Sequence, residues 1–156
     1  MEIVKGSKYG IHDLSRCRWT GKKKDEYARM NMPFELGIDH ASSRFGGPPH
    51  DTKTILILEE RRYDYQKALS DISGWDIEAH DGKHEKAVTK VRAWLAAQTG
   101  ERLAPRTKIL GEYAAFQEWY WERELAAGAS EDDIREYPTV EMIKAMHEWM
   151  ALGKPV

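Results

Sequence analysis

Cysteine is almost missing from this sequence: Cys17 is the single one among 156 residues. An internal disulfide therefore cannot form, and a reducing, cytoplasmic setting is expected. Cys17 falls in a polar stretch, and no base stands beside it in the sequence. We interpret it as an incidental thiol rather than a nucleophile, because a nucleophilic cysteine needs a partner that favours the thiolate.

A strong charge of one sign and long apolar runs are missing too. The chain has 24 Lys and Arg against 26 Asp and Glu, a formal net charge of −2. This balance argues against a dedicated nucleic-acid surface and against a protein of the membrane surface. No apolar run approaches the roughly 20 residues that a membrane-spanning helix needs, and the first residues show no signal-peptide pattern. We therefore expect no membrane partner.

Several familiar site motifs do not occur. There is no Gly-x-x-x-x-Gly-Lys-Ser/Thr loop and no Gly-x-Gly-x-x-Gly turn after a strand. No set of Cys and His residues has zinc spacing. His80 and His84 are four residues apart, but a predicted strand-to-helix junction separates them. We therefore expect neither a resident cofactor nor a metal site.

The apolar pattern of the first two thirds of the chain alternates between strands and helices. Apolar or alternating runs predict strands over residues 9–14, 54–58 and 75–80. Helical spacing predicts helices over residues 32–45, 63–72 and 83–98. This order is typical of an α/β fold with a small open parallel sheet flanked by helices, Rossmann-like or flavodoxin-like. We expect the first strand to be buried on both faces, with His12 packed and hydrogen-bonded inside it.

The last third of the chain has helical spacing throughout. It predicts a helix over residues 109–121, a short helix after Ser130 and a final helix over residues 139–150. We predict an α/β core over residues 1–104 and a helical extension over residues 105–156, packed on that core. The consecutive residues Trp119, Tyr120 and Trp121 cannot all face one core. Two alternatives stay open: packing within the chain, or a homo-oligomer or partner protein that docks on these aromatic helices.

The helix predicted over residues 32–45 carries the strongest candidate for chemistry. Asn31 is a suitable N-cap, and Pro33 fits the first turn, where its missing N–H is not needed. The predicted buried stripe consists of Phe34, Ile38, Ala41 and Phe45. Glu35 then lies in the first turn beside an apolar wall, where the helix dipole stabilises its anion. The plain alternative is that Glu35 is only a favourable first-turn acid.

Two stretches of the chain carry a resemblance to a known group. Residues 9–16 read YGIHDLSR, and residues 31–37 read NMPFELG. They resemble the core pattern of TIR-like and nucleoside 2-deoxyribosyltransferase-like bacterial proteins. In that group a strand ends in Asp-Leu-Ser or Asp-Leu-Thr, and Asn-x-x-(aromatic)-Glu-Leu-Gly opens a helix after a variable loop. The Glu of that helix attacks or stabilises the anomeric carbon of a nucleoside or dinucleotide ribose.

This resemblance implies site residues and a function. The implied catalytic residues are Glu35 and Asp13. The implied substrate-binding residues are Ser15, Arg16, Arg29 and Asn31. The implied function is a nucleotide or nucleoside N-glycosidase or a ribosyl-transfer enzyme, NAD-directed in some members, of the kind found among bacterial antiphage defence effectors. The alternatives are a non-catalytic nucleotide-binding or sensing module and a structural subunit of a larger defence assembly. The implied ligand is a small nucleotide or nucleoside, as a substrate or ligand rather than a cofactor.

One departure from the group concerns the start of the sheet. Members normally carry another strand–helix–strand unit before the Asp-Leu-Ser strand. About eight residues precede that strand here, whereas a parallel crossover needs a dozen or more. We therefore expect either a shortened form of the fold or a sheet edge supplied by another chain.

Overall fold

The computed structural model describes residues 6–17, 30–67, 69–72, 75 and 77–155. The chain divides into two compact units, Met1–Arg102 and Leu103–Val156. The boundary predicted from the sequence lies two residues further on, after residue 104. Among the described residues, every helix is too short or too polar to cross a lipid bilayer.

The first unit contains a parallel sheet of three strands in the order β1–β2–β3. The strands are β1 (Tyr9–Asp13), β2 (Thr54–Glu59) and β3 (Ile77–Ala79). The register pairs Tyr9 with Thr54 and Asp13 with Leu58, and it pairs Ile57 with Ile77 and Glu59 with Ala79. Because all three strands run in one direction, their carboxyl ends meet at one edge of the sheet. The predicted small open parallel sheet of an α/β fold is confirmed.

The observed burial of β1 differs from the predicted burial. Gly10 and His12 are buried, but Ile11 is 42% exposed and Asp13 is exposed as well. Successive side chains of a strand point to opposite faces, so only one face of β1 is well covered. The prediction of burial on both faces is wrong for this strand. Within the described residues β1 lies at the edge of the sheet, whereas the last four residues of the central strand β2 are buried.

Helix α1 (Asn31–Phe45) begins earlier than predicted. Asn31 is its first residue rather than its N-cap, and Met30 occupies the cap position without a side-chain hydrogen bond. Pro33 still falls in the first turn. Glu35 lies in the second turn, so the prediction of a first-turn acid is wrong. The effect of the helix dipole on its carboxylate is weaker there, because this effect falls off within the first turn.

The buried face of α1 is not the predicted apolar stripe. The helix buries Leu36 and Asp39, whereas Phe34 is 70% and Phe45 is 87% exposed. Ala41 is exposed too, and Ile38 is half-buried. The prediction failed because it treated an aspartate as a surface residue. Asp39 faces the sheet, and the helix is rotated accordingly.

A buried polar cluster explains this orientation of α1. The side chain of Asp39 accepts a hydrogen bond of 3.0 Å from Nε2 of His12, and it pairs with Nζ of Lys53 at 2.8 Å. Nζ of Lys53 also donates to the carbonyl oxygen of Ser7. Burial alone would raise the pKa of Asp39, but the hydrogen bonds from His12 and Lys53 outweigh it and lower the pKa. An ionised Asp39 thus ties α1 to β1 and to the start of β2. His12 is packed and hydrogen-bonded, as predicted.

The connection between β2 and β3 contains two short 3₁₀ turns instead of the helix predicted over residues 63–72. The turns are Tyr65–Lys67 and Ser70–Ile72. The buried carboxylate of Glu59 accepts hydrogen bonds from the backbone N–H groups of Tyr63, at 2.6 Å, and Tyr65, at 3.2 Å. Tyr63 has a φ of 68°, which an α-helix of L-residues does not tolerate. Glu59 therefore holds an irregular turn where apolar spacing alone suggests a helix.

Helix α2 (His84–Thr99) covers the other face of the sheet. The rings of Tyr9 and Trp94 meet edge to face at a centroid distance of 5.8 Å. Tyr9 and His12 point to opposite faces of β1, and His12 contacts α1, so the two helices lie on opposite faces. The predicted stripe is half-buried and consists of Ala87, Val88, Val91, Trp94 and Leu95.

The second unit is helical, as predicted. Its helices are α3 (Arg106–Ala126), α4 (Glu131–Glu136) and α5 (Thr139–Ala151). Its buried core consists of Phe116, Tyr120, Ile134, Ala145 and Trp149. Ser130 caps α4 through a reciprocal hydrogen-bond pair with Asp133, which confirms the predicted helix start.

The run of three aromatic residues on α3 is covered within the second unit. Tyr120 is buried, and Trp119 and Trp121 are half-buried against the same core. The guanidinium of Arg123 lies 4.7 Å from the ring centre of Trp119, and that of Arg135 lies 5.4 Å from that of Trp121. These contacts support packing within the chain as the reason for the run. A homo-oligomer or a partner protein stays a prediction.

Candidate functional site

A cleft of about 560 Å³ opens at the carboxyl edge of the sheet. Its walls come from the end of β1 and the turn after it, from the start of α1, and from the residues that follow β2 and β3. This volume is within the usual range of small-molecule sites. In open α/β sheets, ligands bind at this edge, where strands end and helices begin.

The structure brings the predicted site residues together in this cleft. Those that line it are Asp13, Ser15, Arg16, Asn31 and Glu35. The remaining predicted residue, Arg29, lies outside the described residues. Asp13 ends β1, and Ser15 and Arg16 follow it in a turn, whereas Asn31 and Glu35 belong to the first two turns of α1. Parallel strand ends and a following helix start share one edge, which explains why residues distant in sequence meet there.

The carboxylate of Asp13 is held by the turn that follows it. Its Oδ1 accepts hydrogen bonds from the backbone N–H of Ser15, at 2.9 Å, and from the Ser15 hydroxyl, at 2.5 Å. A side chain that accepts from the backbone two residues on is a common turn device for aspartate. The result is a carboxylate that the turn holds in place on the wall of the cleft through its Oδ1.

His80 completes this network from the opposite edge strand. Its Nε2 lies 2.8 Å from Oγ of Ser15 and 3.5 Å from Oδ1 of Asp13. The residue follows β3 directly and is only 8% exposed. Its backbone N–H donates to the carbonyl oxygen of Glu59 at 3.0 Å, so the end of β2 fixes its position.

Sequence reasoning missed His80 because it considered this residue only as a zinc partner of His84. In the structure His84 is exposed and lies 3.5 Å from the carboxylate of Glu85. The signal that could have found His80 is its position. It is the last residue of the strand predicted over residues 75–80, at the same edge as Asp13.

Cys17 also lines the cleft, and its surroundings do not favour a thiolate. Burial, and to a lesser degree the negative charge of Asp13, raise the pKa of the Cys17 thiol above its ordinary value. A thiol that stays protonated is a poor nucleophile. The structure supports the interpretation of this cysteine as incidental.

The charges on the described walls of the cleft are mostly negative. The carboxylates come from Asp13, Glu35 and Glu60, and Arg16 is the single lysine or arginine among the described lining residues. Glu35 is exposed on the wall, so its carboxylate is open to a ligand. Such a lining favours a ligand with little negative charge or a group that becomes positive during a reaction.

No model of a protein family matches the chain, and no curated protein or solved structure matches it significantly. The likeness to TIR-like and deoxyribosyltransferase-like proteins therefore depends on the two sequence stretches alone.

The arrangement has a definite chemical capacity. It places the carboxylates of Asp13, Glu35 and Glu60 around one space. The same space is lined by a hydroxyl, an imidazole and a guanidinium, those of Ser15, His80 and Arg16. Carboxylates that flank a sugar can stabilise the positive charge that develops when a glycosidic bond breaks. The same groups can bind the hydroxyls of a sugar without reaction.

Proposed function

We propose that this chain is an N-glycosidase or ribosyl-transfer enzyme that acts on a nucleoside or nucleotide in the cleft at the carboxyl edge of the sheet. The observation that supports the proposal is the position of Glu35 and Asp13. These residues are distant in sequence, carry the resemblance to the enzyme group, and line the same cleft.

Glu35 has the central role in the proposed reaction. As the bond from the base to the anomeric carbon breaks, the sugar becomes similar to an oxocarbenium ion, and a nearby carboxylate stabilises its charge. Glu35 either stays ionic or forms a bond to the anomeric carbon while the base departs with the electron pair of the broken bond. Water or another acceptor then takes the sugar. The exposed position of Glu35 supports access to a ligand.

Asp13 has two candidate roles, to hold the ribose or to protonate the leaving base. Its Oδ1 accepts two hydrogen bonds from Ser15. A group held in this way as an acceptor is suited to receive a hydrogen bond from a sugar hydroxyl. The geometry therefore favours ribose binding as the role of Asp13.

Arg16 and the start of α1 are the described features that suit a phosphate. A guanidinium binds phosphate in a bidentate manner, and the first N–H groups of a helix point at anions. The described lining carries one arginine against three carboxylates. This excess of negative charge favours a nucleoside or a singly phosphorylated nucleotide over a polyphosphate as the ligand. Action on NAD, with its two phosphates, and a role in antiphage defence are what the resemblance to the enzyme group adds to the proposal.

The decisive experiment measures release of free base by the purified chain from nucleosides, nucleotides and NAD. We expect Glu35→Gln to lower release by about a hundredfold or more, the usual loss when a charge-stabilising group at the reacting centre is removed. Glu101→Gln is the matched control, because Glu101 is an exposed glutamate of the same unit that does not line the cleft. Equal release by the Glu35→Gln variant and the unsubstituted chain would remove Glu35 from the mechanism.

A binding or sensing module without turnover is the second candidate. The position of Glu35 in the second turn of α1 favours it, because the helix dipole gives its anion less support there than in the first turn. This candidate predicts that a nucleoside or nucleotide raises the melting temperature while no base is released. A chain that shows neither effect fits the third alternative, a structural subunit.

A further inference from the structure

We infer that His80 is a positioning residue for Asp13 and acts through the hydroxyl of Ser15. The inference depends on the proposed function for the identity of the ligand, a nucleoside or nucleotide sugar. It concerns how the cleft keeps a carboxylate acceptor in one orientation before that sugar arrives.

The hydroxyl of Ser15 lies between two partners. Its Oγ is 2.5 Å from Oδ1 of Asp13 and 2.8 Å from Nε2 of His80. A hydroxyl has one proton to donate and lone pairs to accept with. The shorter distance is that of an O–H bond to a carboxylate. Ser15 therefore donates to Asp13, and it must accept from His80, which assigns a proton to Nε2 of His80.

The network has a rigid end and an open end. His80 is buried, and its carbonyl oxygen accepts from the backbone N–H of Lys83 at 3.0 Å while its own N–H bonds to β2. The side chain of Asp13 is 49% exposed by comparison. The network connects the ends of β1 and β3 across the central strand. The imidazole, only 10% exposed, thus limits the rotation of the Ser15 hydroxyl and, through it, of the Asp13 carboxylate.

This arrangement has a consequence for the ligand. Because Ser15 and His80 approach Oδ1 of Asp13, Oδ2 is the oxygen left to receive a sugar hydroxyl. Without the donor at position 80, the hydroxyl of Ser15 can turn, and Asp13 loses its preferred orientation. The expected effect of losing His80 is a loss of ligand affinity with little change in kcat, because the carboxylates of Asp13 and Glu35 both stay present.

The first part of the experiment compares variants of the full chain. We expect His80→Ala and Ser15→Ala each to raise the Kd or KM for adenosine and adenosine monophosphate about tenfold, the size of one charge-assisted hydrogen bond, with kcat little changed. The double variant should bind the ligand no more weakly than either single variant, because each substitution already breaks the same network. His80→Gln keeps a side-chain N–H and should stay within about threefold of the unsubstituted chain. His84→Ala, an exposed histidine nearby, is the matched control.

The second part does not depend on activity. The ¹⁵N spectrum of the histidine rings should show His80 protonated at Nε2, with a proton whose exchange with water becomes faster in Ser15→Ala. A proton on Nδ1 alone would overturn the inference whatever the binding data show. It would also be overturned if Asp13→Asn abolished binding while His80→Ala bound normally.

The two proposals fail in different ways. If the unsubstituted chain neither binds nor cleaves any nucleoside or nucleotide, the proposed function is refuted and so is the role of His80 toward a sugar. The ring spectrum then still decides whether the hydrogen bond from His80 to Ser15 exists. If the unsubstituted chain is active and His80→Ala has the same KM, the inference alone is refuted.

Discussion

The two compact units of this chain have cores of different kinds. The buried polar and charged residues in the described part of the chain all belong to the first unit, and they are His12, Asp39, Lys53, Glu59 and His80. The buried core of the second unit is aromatic or aliphatic throughout. Polar groups are costly to bury unless they are paired. The first unit offsets this cost with hydrogen bonds, and those of Glu59 and His80 lie at the edge of the sheet where the cleft opens.

The buried polar groups of the first unit position the candidate site in two ways. Asp39 anchors α1, and it lies one turn after Glu35 on that helix. Glu59 and His80 organise the ends of β2 and β3. The helices of the second unit pack through rings and aliphatic groups, with an exposed ion pair between Arg123 on α3 and Glu148 on α5. We infer that the first unit adds specific polar pairs to the packed volume of an apolar cluster, whereas the second unit depends on packed volume. The apolar cluster of the first unit consists of Leu14, Leu36, Ile57 and Tyr65.

The largest loss of stability is expected in the second unit. Phe116 is completely buried and contacts the rings of Tyr120 and Trp149. Phe116→Ala should lower the free energy of unfolding by about 3–5 kcal/mol, because it removes apolar burial and leaves a cavity. Chemical denaturation followed by tryptophan fluorescence measures it. Tyr113→Ala, half-exposed on the same helix, should cost much less. A loss below about 1 kcal/mol at Phe116 would contradict a core that depends on packed volume.

The next largest effect concerns a charge in the first unit. Asp39→Asn should lower the free energy of unfolding by about 3 kcal/mol, because it removes the carboxylate charge that pairs with the buried ammonium of Lys53. Asp51→Asn is the control, since Asp51 is exposed. Denaturation at neutral pH gives both values.

The pH dependence of this difference tests its cause. The pKa of Asp39 is lowered in the folded chain from its ordinary value of 3.8. The stabilisation by its anion is therefore fully present above that ordinary value and is lost as the pH falls through the lower, folded pKa. The difference in the free energy of unfolding between Asp39→Asn and the unsubstituted chain should shrink as the pH falls over that window. A gap that stays constant down to pH 2 would show that charge is not its source.

The smallest effect of the three concerns the space beside Asp39. A Cβ at Gly10 would lie 1.9 Å from Oδ2 of Asp39, whereas a Cβ at Gly37 on α1 meets nothing within 4 Å. Gly10→Ala should therefore cost about 2 kcal/mol through displacement of the buried pair. Gly37→Ala, its control, should gain up to about 1 kcal/mol from helix propensity. Thermal or chemical unfolding of the two variants checks the prediction, and equal stabilities would contradict the tight approach of α1 to β1.

The parts of the fold that follow from periodicity could be predicted from the sequence. The apolar run of β2, the half-buried stripe of α2 and the acids after Ser130 each depend on neighbours in the sequence. The meeting of Asp13 and Glu35 at one cleft followed from the two stretches of resemblance and from the topology of parallel strands. Their catalytic roles stay predictions.

The parts that could not be predicted depend on polar contacts between distant residues. The predicted buried face of α1 was wrong because Asp39 is buried against His12 on β1 and Lys53 just before β2. The turn after β2 was predicted as a helix because nothing local shows that Glu59 accepts from the backbone of the residues that follow. His80 was missed because its partner Ser15 is 65 positions away. In each case the deciding interaction belongs to the buried polar groups of the first unit or to the edge that they fix.

Titration of the ¹⁵N-labelled chain with adenosine and with adenosine monophosphate, followed through the backbone amide signals, shows directly whether the cleft binds such a ligand. We expect shifts concentrated at residues 13–17, 31–35, 60 and 80–82, which surround the cleft. Absence of any shift at millimolar ligand, or shifts concentrated in the second unit, would contradict the claim that this edge of the sheet binds a nucleoside or nucleotide.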